Sequence, residues 1–368
     1  MARVPALVNP ALLVWARETA GYAIEDVARK LQVPANRVAG WELGKDQPTI
    51  GQAKRLAAIY HRPLAVFFLP SPPASAEPPP DYRRLAVAGA GFSPRLRYEI
   101  RKARYRRETA ARLLEEAGGS PVPFAVRADL GEPSHLVAQR LRDALAIPVE
   151  EQLKWRNTDQ ALKAWIGAIE DLGVLVFQTQ AGPWGVQEDE MWGTSIHETV
   201  FPAILLNGRL VAAAKTFTLM HELTHLALRT SGVCDLDERE QIEVFCNRVA
   251  GEILVPEDAL LAHIEGLGVA QQPPDEEIGI LADQYSVSRE VIVRRLLILG
   301  RVTQGYYQAK RDQYRQEFLN LREAQKANEK PIFVPRARMV VRDNGVRYTG
   351  LGRWPKVFFT FPSPPLVR

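Results

Sequence analysis

Apolar positions recur along most of this 368-residue chain at the three-to-four spacing of helices that bury one face. Between residues 8 and 70 the pattern breaks into four or five short helices. Ala11 to Thr19 ends at the stop signal Gly21, and Ile24 to Leu31 places Val27, Ala28 and Leu31 on one side. A tight turn at Gln32-Val33-Pro34 leads to a helix over Ala35 to Glu42, and Thr49 can cap a helix that runs to Tyr60. Phe67, Phe68 and Leu69 close this segment. Pro70 to Pro80 then has no core-forming pattern and reads as an extended linker. Helices are predicted over Pro94 to Glu116, Ser134 to Leu145 and Asp159 to Leu172. From Val174 to Leu210 the pattern turns to strands, at Val174 to Gln178, Trp192 to Ile196 and Ile204 to Asn207. Two buried helices follow, one over Thr216 to Leu228 and one from Glu243 that Pro256 stops. Ile278 to Leu296 has a helix, short turn, helix layout in which Ser288 caps the second helix. Tyr306 to Lys330 is a charged helix, and Trp354 to Arg368 is proline-rich and apolar without periodicity. The expected class is mainly α with a small β-sheet (α+β). The expected divisions are residues 8–70, a linker at 71–92, a helical connecting region at 93–158, a second domain at 159–300, and a charged helix with an irregular tail at 301–368.

Composition narrows this picture little. The length suits two or three cores rather than one, and 46% hydrophobic with 24% charged residues is the make-up of a soluble globular protein. No apolar run approaches a membrane span and MARVPALVNP is no signal peptide, so a cytoplasmic protein with no membrane partner is expected. Two cysteines, Cys234 and Cys246, give no disulfide framework, which agrees with a reducing compartment. A net charge of +4 means less than its distribution. Arg83, Arg84, Arg95, Arg97, Arg101, Lys102, Arg104, Arg106 and Arg107 form a basic tract with Tyr82, Tyr98 and Tyr105 interleaved. Such a tract is a second nucleic-acid surface or, the reading slightly favoured, one solvated face of the helix from Pro94.

The candidate chemistry sits in His221-Glu222-Leu223-Thr224-His225. Histidines four apart lie on one helical face, one turn above each other, where one tetrahedral Zn²⁺ can take both. Glu222 lies beside the first, where its carboxylate can take a proton from a water activated by the metal. A chance HExxH on a surface helix is the plainer alternative. Against it, Phe217, Leu219, Met220, Leu223, Leu226 and Leu228 mark a core helix, in which two histidines and a glutamate are costly to bury without a partner. Catalytic zinc usually has a third protein ligand. Glu243 is the preferred candidate, with Asn247 one turn on as a hydrogen-bonding support. Asp237, Glu238 and Glu240, read as a solvated acidic loop, and Glu252, on another helical face, compete with it. Manganese is not distinguished from zinc. His197 is a candidate polar group at the cleft or, the plainer reading, an exposed ring at a strand end; His61, His135 and His263, with no partners in sequence, are read as exposed too.

Phe217-Thr218-Leu219-Met220-His221-Glu222-Leu223, followed by Glu243-x-x-Cys246-Asn247-x-Val249-Ala250-x-Glu252-Ile253-Leu254-Val255-Pro256, resembles the ImmA/IrrE family of metallopeptidases. The resemblance spans most of Leu162 to Gly300. It implies a zincin-like metalloprotease domain that cleaves repressor-type DNA-binding proteins and so controls stress or mobile-element genes. In zincin-like proteases a strand near this helix presents its edge to the substrate, and Ile204 to Asn207 is the candidate here.

Trp41-Glu42-x-Gly44-x-x-x-Pro48-Thr49 resembles the XRE family of phage-repressor-like helix-turn-helix domains, in which the second helix enters the major groove. Asn36, Arg37 and Gly40 would then face DNA, with Lys45 near phosphate. Ile24 and Glu25 stand where such domains often carry glutamine, and an acid there opposes phosphate; a fold kept for protein contacts is the alternative. The Ile278 to Leu296 layout stays open between packing, partner recognition and DNA reading. The expected function is a cytoplasmic regulatory zinc endopeptidase with its own DNA-binding module; DNA, a repressor-type substrate and a homodimeric copy are its expected partners. The rival is a DNA-binding regulator whose protease fold senses or grips without cutting.

Overall fold

In the computed structural model, which describes residues 4–73, 92–182, 185–229, 236–267 and 272–328, helices begin and end where local chemistry stops them. The linker from residue 74, Tyr82, Arg83, Arg84, Cys234 and the Trp354 to Arg368 tail lie outside the described residues. The chain divides into two units. One holds the described residues up to Glu108 together with 179–191; the other holds Thr109–Gln178 and most of the chain from Trp192 on.

In the first unit α1 (Pro10–Ala20) starts with Asn9 accepting the Ala11 N–H and proline in its first turn. It ends at Gly21, whose φ of 78° is left-handed. Then come α2 (Ile24–Leu31), α3 (Ala35–Glu42) and α4 (Ile50–Tyr60), the last opened by a reciprocal Thr49–Gln52 capping box. A 3₁₀ turn over Leu64–Phe68 follows. Leu13, Val27, Leu31, Val38, Trp41, Leu56, Tyr60 and Phe67 form one core. Arg17 locks α1 to α3 by a forked pair to Glu42, at 2.7 and 3.0 Å, which holds both charges in satisfied geometry.

Helix α5 (Pro94–Glu116) brings its first half onto this core. Arg101 donates to the carbonyls of Tyr60 and His61 at 2.9 and 3.2 Å, so it closes the end of α4. The His61 ring stacks on Tyr98 at 3.9 Å, and Arg97 lies over Gly21, where a Cβ would fall 2.6 Å from its Cδ. Part of the basic tract is therefore a docking face. His61 is a docking group too, not a lone exposed ring.

The second unit contains α6 (Ser134–Leu145), α7 (Val149–Gln152), α8 (Thr158–Asp171), β1 (Leu175–Gln178), β2 (Gly193–Ile196) and β3 (Ala203–Leu206). These precede α9 (Ala212–Leu228), α10 (Leu236–Leu254), α11 (Glu257–Leu267), α12 (Asp275–Tyr285), α13 (Arg289–Ile298) and α14 (Gln304–Asn328). The helices and the three-stranded sheet make the class α+β. Strand order is β1-β3-β2, with β1 parallel and β2 antiparallel to β3. All four residues of β3 are buried, as a strand with partners on both sides requires. This corrects the expectation that Ile204 to Asn207 offers a free edge: both its sides are paired, and β2 is the outer strand beside α9.

Helix α9 begins earlier than its apolar pattern, because Ala212 to Ala214 carry helix propensity without periodicity. Helix α10 also starts early, so Asp237, Glu238 and Glu240 stand on a helix, not in a loop. Acidic residues there suit a helix N-terminus. The end of α10 is fixed by three side chains. Arg142 donates to the Ile253 carbonyl, buried Gln152 to Leu254 at 2.9 Å and Arg295 to Val255 at 3.0 Å. Glu252 pairs with the buried Arg295 of α13. Helix α13 buries Val291, Ile292, Val293 and Leu296, while α14 engages its polar side through Arg289 with Glu317 and the Tyr314 ring. The second helix of this layout is thus packed against α10 and α14.

Candidate metal centre

The 3.6-residue repeat of α9 turns Leu219, Leu223 and Leu226 into the core while His221 and His225 stack one turn apart on another side. Their Nε2 atoms are 3.0 Å apart. Helix α10 brings Glu243 across from them, with Oε2 3.2 Å from His221 Nε2 and Oε1 3.4 Å from His225 Nε2. Among the described residues these three are the one cluster of metal-ligating side chains.

The donor set fits a metal. Ligands at roughly 2.0–2.1 Å around one tetrahedral ion lie about 3.3 Å from each other, the spacing seen here. Asn247 Oδ1 lies 3.1 Å from His221 Nδ1. An amide oxygen can only accept, so His221 donates from Nδ1 and its Nε2 lone pair is left for the cluster. Burial by itself would lower the His221 pKa, but the carboxylates of Glu243 and Glu222 outweigh it and raise it. Burial would likewise raise Glu243, yet its bonds to both histidines hold it well below the usual carboxylate range. Both shifts have one cause: the imidazoles and the Glu243 carboxylate stabilise each other's charged forms.

Glu222 is 8% exposed and sits against β2: a Cβ built on Gly193 would lie 3.3 Å from its Cγ. The other carboxylates do not join the cluster. Glu252 is taken by Arg295, and Glu240 is exposed on α10, while the Asp237 and Glu238 side chains lie outside the described residues. Cys246 is fully buried on the core side of α10. His197 bonds Ser195 Oγ at 3.2 Å, and His263 Nδ1 bonds the Tyr285 hydroxyl at 2.8 Å, while His135 is exposed. A strand over Trp192 to Ile196 is expected from sequence, but Gly193 within it is not singled out, since nothing in that segment signals contact with a residue of another element.

In the first unit Asn36 and Arg37 are exposed on α3, with Arg37 3.6 Å from Asp46. Gly40 lies one turn on, and its carbonyl accepts the Lys45 N–H at 2.9 Å, which folds the following loop back beside α3. The four candidate DNA-facing residues therefore share one region. Among the described residues no helix is long and apolar enough to cross a membrane.

No curated protein matches the chain. Residues 169–297 match the family model Peptidase_M78, described as IrrE N-terminal-like domain, and residues 13–67 match HTH_3, described as Helix-turn-helix. The first match covers β1 to α13 with the histidine–glutamate cluster inside it, the second covers α1 to the 3₁₀ turn. The chain accordingly joins an XRE-type helix-turn-helix domain to a domain of the IrrE N-terminal-like metallopeptidase family.

Proposed function

We propose that the chain is a zinc-dependent regulatory endopeptidase that carries its own DNA-binding module and cuts a repressor-type transcription factor. The convergence of His221, His225 and Glu243 at the donor spacing of one tetrahedral ion, beside buried Glu222, carries this reading. A Zn²⁺ held by these three would supply a Lewis acid and lower the pKa of water. Glu222 accepts the proton of the attacking water and returns it to the leaving amine. Asn247 keeps His221 in the ligand tautomer. The outer edge of β2, rather than β3, offers backbone groups to an extended substrate segment. The resemblance to ImmA/IrrE proteins supports a repressor as that substrate, in the cytoplasm and under stress or mobile-element control.

Asn36, Arg37, Gly40 and Lys45 serve the helix-turn-helix module, with Arg37 and Asn36 suited to base edges and Lys45 to phosphate. A homodimer would let two such helices meet half-sites one turn of DNA apart. Tethering raises the peptidase concentration near a DNA-bound substrate. Mapping new protein N-termini in cells carrying the native chain or Glu222→Gln tests the reading. A repressor-type protein cut only with Glu222 intact, while both forms keep zinc, is the expected result. Equal N-termini in both, with transcription altered by Arg37→Ala, would establish the DNA-binding regulator without proteolysis.

A further inference from the structure

We propose that Gly193 is a positioning residue for Glu222, a role that rests on the peptidase reading above and assigns the residue that fits β2 to the catalytic helix. Gly193 opens the outer strand and faces α9 between Thr218 and Glu222, which lie one turn apart. A Cβ at this position would stand 2.4 Å from Thr218 Cγ2, 3.3 Å from Glu222 Cγ and 3.5 Å from Glu222 Oε1. The first distance is far inside van der Waals contact, so any side chain here displaces the strand or the helix face. Thr218 is 4% exposed and Glu222 8%, which leaves neither side chain room to swing away. The absence of a side chain at Gly193 thus lets the β2 backbone lie on the Glu222 stem.

Two consequences follow for the reaction. The Glu222 carboxylate is confined between β2 and its own helix, on the side of α9 that β2 covers. A peptide added to the outer edge of β2 runs about 4.8 Å from that strand, so the depth of β2 sets the distance from the scissile bond to Glu222. Gly193 fixes both at one contact. It touches no substrate in this reading and is not a catalytic residue.

The test uses the full-length zinc-loaded chain and the peptide cut fastest from a fluorescence-quenched random octapeptide pool. Gly193→Ala is expected to keep its zinc and lower kcat roughly 10- to 100-fold, since misplacement near 1 Å costs about that much, with KM unchanged. Adding Thr218→Ser removes the methyl group that the new Cβ strikes and should restore part of kcat, a rescue that general destabilisation would not give. Should Gly193→Ala not fold, Gly193→Ala/Thr218→Ser is compared directly with Thr218→Ser, and the same loss in kcat is expected in reduced form. Native kcat in the alanine variant, a loss confined to KM, or no recovery with Thr218→Ser overturns the positioning role while leaving the peptidase reading in place. A native chain that cuts nothing in the pool overturns the peptidase reading, and this role with it.

Discussion

Asn247 Oδ1 faces His221 Nδ1 at 3.1 Å, and that bond decides which ring nitrogen is left for a cation. Asn247→Ala should therefore lower zinc affinity about 10- to 100-fold, measured by competition with a chromogenic chelator, with secondary structure unchanged. Affinity equal to the native chain would remove Asn247 from the site. Of the three proposed ligands Glu243 is the most informative. Glu243→Gln keeps shape but removes the charge that holds both histidines, so zinc content after dialysis should fall while His221→Ala and His225→Ala fall with it. Of these residues the histidine pair was legible in the sequence, because a four-residue interval within one helix fixes their relation without any tertiary information. Glu243 was only a preference among five carboxylates. Nothing within α10 says which of its acids crosses to α9.

At the scale of elements, α10 is held by what caps its end. Arg295 is 2% exposed and serves both the Val255 carbonyl and Glu252. Arg295→Ala leaves the Glu252 carboxylate without its cation in a largely buried place, a loss of about 3–5 kcal/mol by analogy with broken buried pairs. A clear drop in Tm is expected, and zinc affinity should weaken as α10 loosens. Helix α14 is tied on differently. Partial burial would raise the Asp275 carboxyl, but hydrogen bonds from Lys310, Gln313 and Tyr314 outweigh it and hold it at about 2. A depressed carboxyl adds stability that is full above its unfolded value near 3.8 and is lost as pH falls through about 2. Hydrogen exchange along α14 should accordingly rise between those values, and Asp275→Asn should show the faster exchange already at neutral pH. Exchange independent of both would detach Asp275 from α14 docking. Most helices of both units were legible from periodicity and caps, Thr49 and Ser288 above all. Strand order was not: Ile204 to Leu206 is apolar on both faces, which reads as buried but does not say between which neighbours.

For the whole molecule, on the proposed reading, joining the two domains acts through local concentration and adds no new chemistry. Arg37→Ala should weaken specific DNA binding by about 1–3 kcal/mol while peptide cleavage by the purified chain stays native. Cleavage of a DNA-bound repressor in cells should fall with it; unchanged cutting there would show that the DNA-binding domain does not deliver the peptidase. By itself the sequence determined the two domain types and the α+β class, with the histidine pair and its glutamate. Each of those follows from intervals within one element or from short motifs. Tertiary structure decided the rest: that Glu243 and not Glu252 meets the histidines, that β2 and not β3 is the outer strand, and that Gly193 lies against Glu222. These are relations between segments distant in the chain. Packing chooses them, and no periodicity along one segment carries information about the face of another.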